Sequence, residues 1–210
     1  MNLHDDAETK RLLESLPADP GRERLEGAFL RRERQYRAVQ DRNAALISRL
    51  AVIAEALPDS PTKAARELQA ERRDLLVERL GMPDDLTVSA RRYAASLSAW
   101  LATTFAVIDQ ERHAHRQALA GTETAFREAN YEVGQFAEGT ASPAYDRAYS
   151  AFRELAGERQ PHNERLDSLT RLELLIREFA GKAIPGKIVA NRPTDANIRA
   201  FVESHRGVAA

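Results

Sequence analysis

An all-α fold, built as antiparallel helical hairpins or a bundle with long coiled-coil-like helices, is predicted by three observations on the sequence. Residues 25, 29, 32, 36, 39, 43, 46, 50, 53 and 57 recur at four-three spacing and eight of the ten are apolar, the seven-residue period of a helix that buries one stripe. A second frame of the same kind runs from Leu101 to Phe136 without a slip. The composition agrees: aromatic residues are 6%, with 10 Gly and 9 Pro in 210 residues, while Ala, Leu, Arg and Glu are plentiful, a mixture that favours helix over sheet.

The first element is a short helix within residues 3–16. Leu3, Leu12, Leu13 and Leu16 supply its apolar positions, acids come early and Lys10-Arg11 late, in the order the helix dipole prefers. Pro17, Pro20 and Gly21 end it, so residues 1–21 read as a hinged N-terminal arm. The next helix occupies residues 22–57, about 36 residues and roughly 54 Å, and Pro58 closes it. After the turn Pro58-Asp59-Ser60-Pro61, with Ser60 as N-cap, a helix is expected on Ala65, Leu68, Arg72, Leu75, Leu76 and Leu80, stopped by Gly81. The short connection turns it back antiparallel on its predecessor.

Met82-Pro83-Asp84-Asp85 reads as a further turn, followed by a proline-free stretch up to Pro143. Its seam is Leu101, Phe105, Ile108, Arg112, His115, Leu119, Thr122, Phe126, Ala129, Val133 and Phe136, preceded by Tyr93, Leu97 and Trp100 on a second row. The helix is expected to continue through Gly121; the alternative is a stop at Gly121 with Thr122 as a new cap, the segment from Glu123 to Glu138 then folding away. Ser142-Pro143 then starts a short helix through Tyr145, Tyr149, Phe152 and Leu155 that ends at Gly157, and Pro161 starts another on Leu166, Leu169, Leu172, Ile176 and Phe179, ended by Gly181. Residues 22–181 thus form an elongated helical bundle. Residues 182–210 form a tail, extended over 187–193 and helical from Thr194 through Ile198, Phe201 and Val202 to Gly207.

Charge and composition narrow the classes of function. The net charge is −1, so no bulk field draws the protein to nucleic acid or an acidic membrane. Cysteine is absent, which removes disulfides, thiolate nucleophiles and sulfur-ligated metal. The start Met1-Asn2-Leu3-His4-Asp5-Asp6 is acidic and no 18-residue apolar run occurs, so neither signal peptide nor membrane span is expected. The expected location is the cytoplasm or a larger assembly such as a virion. The excess of Arg, 27 against 4 Lys, points to a GC-rich bacterial or phage genome.

Helix lengths carry the functional expectation. A second helix of about 20 residues covers only part of the first, leaving an overhang over 22–36, and the long helix overshoots at 119–136. Apolar stripes on overhangs attract partners. The expected partner-binding residues are therefore Leu25, Phe29, Tyr36, Asn43, Leu119, Phe126, Val133 and Phe136. Asn43, polar in an inward slot, would favour a parallel dimer through its own copy, or would be satisfied by a helix of the same chain.

Other chemistries fit less well. Arg112 and His115 make a polar layer in the long seam, beside Asp109, Glu111, His113 and Arg116. His113 and His115 diverge by about 200° around a helix and cannot share an ion, and the Glu-x-x-His pairs of bundle metal sites are missing. No metal or cofactor is expected. Arg31, Arg32, Arg34 and Arg37 form a basic face that suggests a nucleic-acid-binding alternative, diluted by Glu23, Glu26 and Glu33. Phosphate loops, nucleophile motifs and zinc-protease helices are absent from the sequence. The expectation is a non-enzymatic structural or adaptor protein acting through protein partners or self-association.

Overall fold

The computed structural model describes residues 6–136 and 142–183, so the predicted extended segment over 187–193 and the last helix lie outside the described residues. Four helices and no strand are found among them: α1 (Ala7–Glu14), α2 (Pro20–Ala56), α3 (Thr62–Gly134) and α4 (Pro143–Ala183). The all-α prediction holds.

Local chemistry sets the helix starts. The Asp6 carboxylate accepts the Thr9 N–H at 3.0 Å and caps α1. Asp19 does the same for Arg22 at 2.9 Å with Pro20 in the first turn, so α2 begins two residues before the predicted start. Ser142 caps α4 as predicted, accepting the Tyr145 N–H at 3.1 Å. Ser60 does not cap α3; its hydroxyl donates back to the Ala56 carbonyl at 2.7 Å.

Two predicted stops are not stops. α3 runs unbroken through Gly81 and Pro83, and α4 through Gly157 and Pro161. A proline inside a helix costs about 3 kcal/mol and a glycine about 1. Met82, Tyr93, Leu97 and Trp100, each 3% exposed or less, lie on the continued part of α3. Burying such side chains contributes about 1.5–3 kcal/mol apiece, so tertiary packing outweighs the local preference to break. In α4 the residues beyond Pro161 that are buried are Leu169, Leu172, Ile176, Phe179 and Ala180. Gly121 does not interrupt α3, as expected.

The described residues group into two compact units, Asp19–Thr103 and, separately, residues up to Ala18 together with Thr104–Ala183. The first unit is a helical hairpin. Arg49 of α2 forks onto Glu71 of α3 at 2.6 and 2.8 Å, and Arg42 reaches Glu78 at 2.6 Å. Farther along, Tyr36 stacks on Tyr93 at 5.5 Å and Phe29 on Trp100 at 5.4 Å. As α2 numbering falls, α3 numbering rises, so the pair is antiparallel along its length. This corrects the expected overhang at 22–36: α3 does not turn at residue 82, and its next residues lie beside this part of α2.

The second unit is also antiparallel. Phe136 meets Tyr145 edge-on at 5.7 Å, Phe126 meets Phe152 at 5.4 Å, and Arg112 reaches Glu173. One 41-residue α4 thus follows the α3 seam past Phe126 to Phe136, and the predicted overhang over 119–136 is lined by the chain's own aromatic rings. α1, expected to be a hinged arm, is seated on α4. Leu12, Leu13 and Leu16 are buried, and Arg171 forks onto Glu8 with both bonds at 3.0 Å. The Arg171 guanidinium, by hydrogen bonding, holds the Glu8 carboxyl below its ordinary value.

Candidate functional site

Three places in the two units gather side chains capable of recognition. In the Asp19–Thr103 hairpin, Phe29 is fully buried and stacked on Tyr93 at 5.9 Å as well as on Trp100. This aromatic cluster is structural. Burial above all, and the nearby Glu33 carboxylate next, push the Tyr93 phenol well above its ordinary range. A phenol with a raised folded-state value contributes stability that is fully present below its unfolded value, about pH 10, and lost as pH rises beyond it. Alkaline titration followed by circular dichroism should therefore show the hairpin loosening above about pH 10, with the dependence reduced in Tyr93→Phe. An identical alkaline profile in that variant would refute the assignment.

Beside the cluster, Arg32, Gln35, Val39, Asp85, Val88, Ser89 and Arg92 line a groove of about 360 Å³ between α2 and α3. Arg32 donates to Gln35 at 2.9 Å, Arg34 to the Leu30 carbonyl at 3.4 Å, and Arg37 pairs with the buried Glu33 at 2.6 Å. Arg31 is exposed. Three of the four guanidiniums make hydrogen bonds within α2, but among the described residues only the charge of Arg37 is offset by a carboxylate.

The second place is a polar layer between α3 and α4. His115 and His162 approach with their Nδ1 atoms 2.8 Å apart, in hydrogen-bond reach of each other across the two helices. One turn away on one side, Arg165 bonds Glu111 at 3.0 Å and the carbonyl of Ser15, the residue that follows α1, at 2.7 Å. On the other, Arg159 bonds Glu123 at 2.6 Å, accompanies it with the Leu119 carbonyl at 2.9 Å, and lies 4.7 Å over the Phe126 ring. Arg112 and Arg177 both reach Glu173, and Arg112 also reaches Asp109. The polar slots predicted at Arg112 and His115 are thus filled by partners on α4, as a register layer is. Among the described residues no three His, Asp or Glu gather around one point.

The third place is on the outer side of the hairpin. Val77 is 68% exposed and Leu80 80%, with Leu76 at 41% beside them on α3. Leu76 and Leu80 were expected on the inward row. The structure keeps the predicted Leu68 and Leu75 on that row and adds Met82, while Arg72 is exposed, and Glu71 and Glu78 face α2 through their ion pairs. Reading the helix as ending at Gly81 hid Met82, seven residues after Leu75 and fourteen after Leu68, which fixes the phase.

The residues predicted to bind partners are distributed as follows. Phe29 is fully buried; Leu25, Tyr36, Asn43, Leu119, Phe126, Val133 and Phe136 are half-buried. All of them lie on stripes that face a helix of their own chain. Asn43 shares its row with the buried Phe29, Leu46 and Ile53, the row turned to α3. The parallel pairing of Asn43 with its own copy would need that row free.

The class these features define is an all-α protein of antiparallel helical hairpins, with no helix among the described residues long and apolar enough to cross a membrane. No family model matches the chain, nor does any curated protein or solved structure.

Proposed function

We propose that the protein is a non-enzymatic structural or adaptor component that assembles with other protein chains, copies of itself included, through its helical faces. The observation that carries the reading is the pair Val77 and Leu80, 68% and 80% exposed within α3. Scattered exposed apolar residues are ordinary, but Leu76, Val77 and Leu80 lie together on adjacent turns of α3, and a cluster of that kind marks a contact surface. The seams first suspected of binding partners are filled by the chain itself, so this reading rests on the outer face alone.

Light scattering across a wide concentration range tests it. The mass is expected to rise above the 23.4 kDa of one chain with concentration, and to be unchanged by nuclease. Association with any nucleic-acid duplex that collapses as salt increases would instead support the basic face over Arg31, Arg32, Arg34 and Arg37.

A further inference from the structure

The charges around Val77 and Leu80 identify what seats on them. At about 100° per residue, Arg73, Val77, Leu80 and Asp84 fall within about 60° of one another on α3. Leu75, Glu78 and Met82 project from the opposite side, about 130–190° away, and Glu78 is the residue that pairs with Arg42 of α2. The four-residue stripe therefore points away from α2. Arg73 and Asp84 are exposed and have no hydrogen bond or ion pair among the described residues.

Read in either direction, the stripe has an apolar pair at its centre and opposite charges at its ends. We propose that a second copy of this chain docks here, its α3 antiparallel to the first across a twofold axis midway between residues 78 and 79. This deepens the assembly function proposed above and rests on it. Under that axis Val77 of one protomer meets Leu80 of the other, and Arg73 of one meets Asp84 of the other, each contact made twice as a twofold interface requires. A parallel arrangement would set Arg73 against Arg73 and Asp84 against Asp84. The charges select the antiparallel one.

The extent of the contact follows from the same stripe. Gln69 falls opposite Val88, which borders the groove toward α2 and so marks the edge of the contact, and one turn farther Arg66 falls opposite Arg91, where like charges end the pairing. The contact thus spans residues 69–88, about 20 residues and roughly 30 Å of helix. A patch of that size belongs with weak, reversible associations.

The experiment is sedimentation equilibrium on the full chain and on four variants: Leu80→Glu, Arg73→Asp, Asp84→Arg and the Arg73→Asp/Asp84→Arg double variant. Circular dichroism checks that each keeps its helix content, which exposed positions facing away from α2 should allow. Leu80→Glu, which places a charge at the centre twice per dimer, is expected to weaken association about a hundredfold or more. Each single charge reversal should weaken it, and the double reversal should restore it. Variants that associate as tightly as the parent would overturn the stripe while leaving the assembly reading intact. A parent chain monomeric at every concentration would overturn self-association itself.

Discussion

Phe29→Ala is expected to destabilise the Asp19–Thr103 hairpin by about 3–5 kcal/mol, the cost of emptying a buried aromatic site. The ring is fully buried and lies between Tyr93 at 5.9 Å and Trp100 at 5.4 Å. Its loss removes two stacking contacts in addition to the buried area. The neighbouring rings cannot close the gap cheaply, because Tyr93 is also stacked on Tyr36 at 5.5 Å. Denaturant unfolding followed by circular dichroism and by the emission of Trp100, the single tryptophan, would report both the loss and its location. A change under about 1 kcal/mol would mean that the cluster does not hold the helices together.

Pro83→Ala should act in the opposite direction. Pro83 lies inside α3 on an exposed position and supplies no N–H for the carbonyl of Arg79, four residues earlier. Restoring that bond and relieving the ring's clash with the preceding turn is worth about 3 kcal/mol, from which up to about 1 is lost because alanine leaves the unfolded chain freer. A net gain near 2 kcal/mol is expected, read as a higher unfolding midpoint with an unchanged denaturant slope. A destabilised Pro83→Ala variant would show that packing in the hairpin depends on a bend at this proline.

These two residues also mark the limits of what the sequence discloses. The seven-residue stripes were legible: none of the ten positions from Leu25 to Leu57 is exposed, nor any of the eleven from Leu101 to Phe136. A period survives because burial acts on every turn of a helix. The helix ends were less legible. Asp19-Pro20 and Ser142-Pro143 combine a side-chain acceptor with a proline, and both start helices. Gly81 with Pro83, and Gly157 with Pro161, resemble stops equally well, yet nothing local reveals the buried surface that carries a helix across them. The surface at Val77 and Leu80 was missed for the same reason: a helix cut short at Gly81 leaves its phase undetermined.

The seating of α1 on α4 has a consequence for the newborn chain. The Asp19–Thr103 hairpin is contiguous and closes on itself as soon as its residues have left the ribosome. Leu12, Leu13 and Leu16, synthesised before it, belong to a unit whose remainder is Thr104–Ala183, with α4 the helix on which α1 is seated. Their seat is complete only when α4 emerges, and an early segment held open that long depends on the speed of translation and on chaperones in a way the central hairpin does not.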